Sequence, residues 1–209
     1  MKKILIAAAV AVACQSGIAM ADEIGDRSAK SRTVIKNMVK NMKGMLMSEI
    51  KKGGPAGAID VCSKKAPMAM GKVMKKTGWT KVGRTSLKIR NPGNAPDAWE
   101  LAVLKSFESR KAKGEDITKM EYAEIVTSGV SDSSGNGVRS TYGSVSAAGG
   151  KKAFRYMKAI PTGKPCMNCH ATKIKPAVEA KLKELYPTDK ARGFKPGDIR
   201  GAFTFIQPM

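Results

Sequence analysis

The 209-residue sequence predicts an α+β fold. Two observations support this prediction. Before Gly114, apolar residues recur at the three- and four-residue spacing that is typical of amphipathic helices. After Gly114, short and partly alternating apolar runs are separated by loops rich in glycine and serine, a pattern that favours an antiparallel sheet. The length fits one domain and no internal repeat is visible, so a single domain over residues 22–209 is expected.

The first 21 residues have the pattern of a secretory signal peptide. Two lysines precede an apolar run over residues 4–13, and the triplet Ala19-Met20-Ala21 predicts cleavage after Ala21 and export to the periplasm. A lipoprotein signal ending at Cys14 is the disfavoured alternative, since Ala11 stands where a larger aliphatic residue is usual. No segment approaches the roughly 18 apolar residues of a membrane-spanning helix, so the mature chain is expected to be soluble, without a transmembrane segment.

The first half of the domain predicts helices. A long amphipathic helix is expected over residues 29–52, ended by Gly53 and Gly54. A second helix is expected to open at Pro55 and to carry Cys62 on its apolar side. Pro67 is expected to interrupt this helix before a further helical stretch that runs toward residue 78.

The next segments alternate between strand and helix patterns. Residues 81–94 predict a strand that leads into a turn, and Asp97 predicts the N-cap of a helix that extends to about Lys113. Later strands are expected within residues 121–129, 140–147, 152–161 and 201–206, with a loop over 128–137. A helical stretch with one apolar side follows residue 170.

The segment "CMNCH" carries the strongest functional signal. Cys166 and Cys169 have the spacing at which two thiols add to the haem vinyl groups, and His170 then directs its imidazole at the iron. A disulfide-exchange motif, a zinc site completed by Cys62 and a plain disulfide are the alternatives. Export favours one covalently bound haem c, because c-type attachment takes place outside the cytoplasm.

The ligand on the other side of the iron stays open from the residues alone. His170 is the sole histidine, so a second ligand must be methionine, cysteine, lysine, another weak donor or water. The methionines placed to reach the distal side are Met68, Met70, Met74 and Met157, although methionine at helical spacing usually fills a core. Once the signal peptide leaves with Cys14 and two thiols hold haem, Cys62 is the one remaining thiol.

Four stretches together resemble a known family. They are "GAIDVCSKKAP", "GRTSLKIRNPGNAPDAWE", "FRYMKAIPTGKPCMNCH" and "YPTDKARGFKPGDIRGAF". In this order they resemble the exported single-c-haem domains with a PAS-like fold that were long listed as a domain of unknown function. The resemblance implies a PAS-like antiparallel sheet flanked by helices, one covalent haem c, and iron held by His170 and the thiolate of Cys62. Family members also occur as sensory parts of membrane receptors and kinases, an arrangement that is not expected for this chain, since neither a transmembrane helix nor an output domain is predicted in it.

Thiolate ligation favours ferric iron and a low reduction potential. We therefore expect a mono-haem cytochrome for electron transfer or redox sensing, with a CO or NO sensor acting through a separate partner as the alternative. A peroxidase-like enzyme is not expected, because the only histidine is used on the proximal side. Arg84 and Arg90 flank the "TSLKIR" segment and are candidates to bind the haem propionates, exposed surface arginines being the alternative.

The charge of the chain indicates anionic partners. Without the signal peptide, 36 basic and 17 acidic residues give a formal charge of +19. An exported chain meets acidic redox proteins and anionic lipid surfaces rather than nucleic acid. A solvated lysine surface without a dedicated partner is the alternative, and because the lysines are spread along the sequence, no single docking face is predicted.

Overall fold

The fold is a four-stranded antiparallel sheet with helices on both faces. The computed structural model describes residues 4–127 and 151–209. The strands are β1 (Lys81–Thr85), β2 (Glu121–Thr127), β3 (Lys152–Pro161) and β4 (Ile199–Pro208), in the spatial order β1-β4-β3-β2. This arrangement confirms the predicted α+β class. The strand and loop predicted at 140–147 and 128–137 lie outside the described residues.

Five α-helices and three short helical turns complete the described fold. The helices are α1 (Ile4–Gly57), α2 (Ala66–Thr77), α3 (Ala98–Ala112), α4 (Met167–His170) and α5 (Pro176–Leu185). The turns are a π-helical turn at Val61–Lys65 and 3-10 turns at Pro92–Asn94 and Lys164–Cys166. The N-cap predicted at Asp97 is confirmed, since its side chain accepts a hydrogen bond from the Glu100 backbone N–H at 2.8 Å, and the Asp97 backbone N–H donates to Glu100 Oε2 at 3.0 Å.

Helix α1 is longer than the 29–52 segment that the apolar spacing predicts. It begins at Ile4, within the predicted signal peptide, and the cleavage itself stays a prediction. The predicted stop is present as a kink: Gly54 has φ 70°, and Pro55 starts a further turn that ends at Gly57. Across residues 4–127 and 151–209, none of the helices combines the length and the apolar composition needed to cross a membrane.

The two faces of the sheet bury different side chains. Helices α1 and α2 cover one face, where Ile35, Met38 and Met70 pack with aromatic residues of β3 and β4. Helix α3 covers the other face through Trp99, Leu104 and Phe107, which pack against Met157 and neighbouring strand residues. The alternation of side chains along β3 explains this division, since successive residues of a strand point to opposite faces.

Strand β4 contains an irregularity that matters for the site. Opposite it, Ile160 pairs with Gly201 and Pro161 pairs with Ile199, so Arg200 is an extra residue without a partner on β3. Beyond this bulge the side-chain phase changes, and Ile199 lies on the same face as Ala202. Bulges of this kind commonly redirect a side chain beside a functional site.

A third apolar cluster lies outside the sheet. It joins Ile59, after the α1 kink, to Val178 and Leu182 of α5 and to Tyr186, and Cys169 and Ile174 pack against it. The predicted apolar side of the helical stretch after residue 170 is therefore confirmed. This cluster holds the "CMNCH" segment against the chain that carries Cys62.

Candidate functional site

Hydrogen bonds from two loops hold the "CMNCH" segment in place. Cys166 ends a 3-10 turn and residues 167–170 form α4, so the segment is one short helical unit. The Phe194 backbone N–H donates to the His170 carbonyl at 3.0 Å. From the loop after β1, Arg90 Nη2 donates to the Cys169 carbonyl at 2.6 Å. Two carbonyl groups of the segment thus accept hydrogen bonds from two different parts of the chain, which fixes its position.

A cavity of about 210 Å³ opens beside this segment. All six residues that the sequence singles out line it: Cys62, Arg84, Arg90, Cys166, Cys169 and His170. Its apolar walls come from residues that include Leu46 and Ile50 of α1, Ile89 and Ile160. The cavity therefore combines two thiols and an imidazole on one segment, a third thiol from a distant segment, and an apolar lining, as expected for a cofactor pocket.

The imidazole of His170 is present as a single tautomer. Its Nδ1 lies 2.8 Å from the Ala191 carbonyl oxygen, which can only accept, so Nδ1 carries the hydrogen. Its Nε2 accepts from Arg200 Nε at 3.3 Å. Burial, followed by the positive charges of Arg200 and Arg90, lowers the pKa of His170 to about 2. His170 is therefore neutral and presents the Nε2 lone pair that a metal ligand needs.

Arg90 is braced by a buried carboxylate. Its Nη2 lies 3.0 Å from Asp189 Oδ2, and the two side chains are 10% and 2% exposed. Asp189 Oδ1 also accepts from the Ala191 backbone N–H at 2.8 Å. Since the Ala191 carbonyl accepts from His170, Asp189 and Arg90 together position the backbone that orients the imidazole. Arg90 Nε is buried without a partner among the described residues, which leaves one donor for a ligand.

We expect Asp189→Asn to destabilise the protein by about 3 kcal/mol, because breaking a buried ion pair leaves the Arg90 guanidinium uncompensated. The measurement is the free energy of unfolding in urea. Asp198→Asn is the matched control: Asp198 pairs with Lys111 at 2.8 Å, but both side chains are about one third exposed, so its loss should be below about 1 kcal/mol. Equal losses for the two variants would contradict the role of Asp189.

Arg84 projects from β1 and is partly buried. No hydrogen bond or ion pair joins its side chain to another residue in the described part of the chain. Arg84 and Arg90 thus reach the same cavity with different surroundings. The binding of haem propionates by either stays a prediction.

Cys62 approaches the cavity from a π-helical turn. This turn, Val61–Lys65, follows the α1 kink at Gly54 and directly precedes α2. Single π-turns occur often at functional sites, because the extra residue displaces side chains from the regular helical face. Burial raises the pKa of the Cys169 thiol, against an opposing effect of the positive charge of Arg90, and Cys62 and Cys166 add to the rise.

The methionines considered as ligands lie elsewhere. Met157 and Met70 are buried in the two sheet cores, Met74 packs beside the second, and Met68 is exposed. Within the described residues, no methionine lines the cavity. The zinc alternative requires several ligands at one point; among the residues that the structure describes, no group of three His, Cys, Asp or Glu side chains is placed to hold a metal ion.

Sequence reasoning missed Arg200, Asp189 and Tyr186. Arg200 and Tyr186 line the cavity, and Asp189 braces it. All three lie within "YPTDKARGFKPGDIRGAF", one of the stretches that carries the family resemblance, although no residue in it was assigned a role. The resemblance of this stretch to the family was the one signal in the sequence that could have pointed to these three residues. The bulge at Arg200 and the pairing of Asp189 depend on long-range packing.

Comparison with known proteins agrees with this architecture. The chain is similar in structure to the cyanobacterial haem protein Tll0287, with a TM-score of 0.61 and 22% sequence identity. The match covers 88% of this chain and 96% of that chain. It confirms the predicted α+β, PAS-like fold. No curated protein has a significantly similar sequence. The family model for Tll0287-like proteins matches residues 12–208, and the chain therefore belongs to the Tll0287-like family.

Proposed function

We propose that the protein is a mono-haem c-type cytochrome. Cys166 and Cys169 would form the thioether bonds to one haem c, and His170 and Cys62 would bind its iron. The observation that carries this proposal is the convergence of Cys62 with the "CMNCH" segment on one apolar cavity. The neutral His170, whose Nε2 carries no hydrogen, fits the ligand role, and the similar structure is that of a haem protein.

The bound haem would supply a one-electron ferric–ferrous couple. The Cys62 thiolate places negative charge on the iron and thereby lowers the reduction potential. The chain's own part is to keep both ligands in position within apolar walls. We therefore favour low-potential electron transfer or redox sensing over enzymatic turnover: no Asp, Glu or second His among the described residues lines the cavity as an acid or base.

A sensor of CO or NO is the second candidate. Its support is the π-turn around Cys62, because a local change of helical register there can withdraw one thiolate without moving the sheet. His170, by contrast, is fixed by hydrogen bonds to its ring and to its carbonyl. Loss of Cys62 would open one coordination position, and the output would pass to a separate partner.

The proposal predicts a covalent mass increase of one haem on the denatured protein, together with an intense Soret absorption band. Mass spectrometry and an absorption spectrum after periplasmic expression test it, with the N-terminal mass reporting cleavage after Ala21 or lipidation of Cys14. The control is the Cys166→Ser/Cys169→Ser double variant, which should carry no covalent haem. A wild-type chain recovered without haem from cells that mature other c-type cytochromes would overturn the proposal.

An acidic redox protein in the periplasm is the proposed partner, and exposed lysines surround the thioether-forming segment. They are Lys164, Lys173, Lys175, Lys190 and Lys195, and residues 163–175 contain no acidic residue. An anionic partner is attracted to such a face. This local excess of positive charge supports docking of the partner on this side of the molecule.

We expect Lys173→Glu/Lys175→Glu to slow electron exchange with an acidic redox protein about tenfold or more at low salt, since charged groups at a docking face steer association. Stopped-flow mixing with a small acidic ferredoxin or flavodoxin measures the rate. The control is Lys36→Glu/Lys40→Glu, the same charge change on exposed positions of α1, roughly 15–20 Å along the helix axis from Ile50 at the cavity. Equal slowing in both variants would indicate an effect of net charge alone.

A further inference from the structure

The guanidinium of Arg200 lines the cavity, and its partners among the described residues are all neutral. Its Nε donates to His170 Nε2 at 3.3 Å, and its Nη1 lies 3.4 Å from the Ser86 hydroxyl oxygen. Its Cζ stands 5.1 Å from the centre of the Phe194 ring. The bulge in β4 turns this side chain out of the regular strand pattern and toward the cavity.

The charges around the cavity are unbalanced. Arg90 has the carboxylate of Asp189, whereas no carboxylate of the described residues lies within 4.0 Å of Arg200 or Arg84. Burial, and then the repulsion of Arg90 and Arg84, lowers the pKa of Arg200 to about 10, so it stays a cation near neutral pH. A cation removed from water with only neutral acceptors is unfavourable unless an anion reaches it. The cavity is therefore prepared for a ligand that carries negative charge.

The contact between Arg200 and His170 conflicts with metal binding. An imidazole nitrogen has one lone pair, and Nε2 is the atom that the proposed function assigns to iron. Arg200 and iron cannot use that lone pair together. Arg200 must therefore leave Nε2 when the haem binds, and the anion it then meets must come with the haem, whose acidic substituents are carboxylates.

We infer that Arg200 is the cation of this cavity that would pair with a carboxylate substituent of the haem. This inference rests on the proposed function. Guanidinium suits this role because its parallel N–H groups match a carboxylate in two-pronged geometry. The hydrogen on His170 Nδ1 is held by the Ala191 carbonyl and not by Arg200, so the tautomer that iron requires would be kept when Arg200 pairs with the haem. Arg200 would thereby fix the orientation of the haem.

The test compares the haem-loaded wild type with Arg200→Met and Arg200→Lys, reading the reduction potential as a function of pH. A haem carboxylate that loses its cation has a higher pKa, and its protonation raises the potential as the pH falls. We expect this rise in Arg200→Met at a pH about one unit or more above that of the wild type. Arg200→Lys, which keeps the charge, should fall between them. Identical profiles for Arg200→Met and the wild type would overturn the inference.

A second measurement needs no substitution. In haem-loaded wild-type protein with isotope-labelled arginine, the guanidinium hydrogens of Arg200 should show nuclear Overhauser effects to the methylene hydrogens beside a haem carboxylate. If Arg200→Met is recovered without haem, this measurement decides the question, and absent contacts would overturn the inference. Failure of the proposed function looks different, since the wild type would then lack the covalent haem mass and the Soret band altogether.

Discussion

Gly201→Ala is expected to lower the free energy of unfolding by about 4 kcal/mol or more and to distort the cavity, which Gly201 lines. Gly201 has φ 149°, and a methyl group at this position would lie 2.3 Å from the Thr85 carbonyl oxygen and 3.0 Å from Ser86 Cβ. The backbone of Thr85 has no room to move, because β1 is paired along its whole length with β4. The backbone strain of an alanine at φ 149° and the overlap of its methyl group with Thr85 therefore both destabilise the variant, at the point where β4 bulges.

Gly83→Ala is the matched control for this prediction. Gly83 lies on the neighbouring strand β1, and an added methyl group would meet only Thr204 Cγ2 at 3.8 Å, an ordinary contact. Its cost should be below about 1 kcal/mol, in the range of most tolerated substitutions. Urea unfolding followed by circular dichroism measures both variants. If Gly201→Ala were as stable as Gly83→Ala, this result would contradict the close approach of β1 to β4 at Gly201.

Local patterns in the sequence predicted most of the helices and strands. Asp97 begins α3 because its side chain caps the first backbone N–H groups, and Gly54 kinks α1 because it alone adopts φ 70° within that helix. Both are effects of a few neighbouring residues. The extension of α1 back to Ile4 was not predicted, since the short apolar run there has the pattern of a signal peptide.

The sequence predicted which residues form the site better than it predicted the contacts that bring them together. The spacing of Cys166, Cys169 and His170 indicates haem attachment by itself, whereas Cys62 was selected by elimination and by family resemblance. The meeting of Cys62 with this segment depends on α5 packing beside the kinked end of α1. Such contacts between distant segments are not encoded in local periodicity.

The arginines illustrate the remaining gap. Arg84 and Arg90 were singled out because they flank a recognisable segment, yet Arg90 is paired with Asp189 and Arg200 is the cation in contact with His170. A regular β4 would turn Arg200 elsewhere, and the bulge opposite Ile160 and Pro161 changes its direction. Strand register decides which charge enters the cavity, and the sequence of one chain does not display it.

Replacement of Cys62 is expected to have the largest functional effect. In Cys62→Ala the iron loses its proposed thiolate, so the ferric absorption spectrum should change, the reduction potential should rise, and the reduced protein should bind CO at the opened position. The potential rises because the negative charge that favours ferric iron is gone. Absorption spectra in both oxidation states, a redox titration and a CO titration measure the three effects.

Two controls separate ligand loss from damage to the π-turn. Ser63→Ala alters the next residue of the same turn, whose side chain does not line the cavity, and should leave spectrum and potential as in the wild type. Cys62→Met keeps a sulfur donor without charge, so its potential should exceed that of the wild type even if the iron stays six-coordinate. A Cys62→Ala spectrum identical to that of the wild type would exclude Cys62 as the ligand. A changed spectrum in Ser63→Ala as well would instead assign the effect to the shape of the turn, since the Ser63 side chain does not line the cavity.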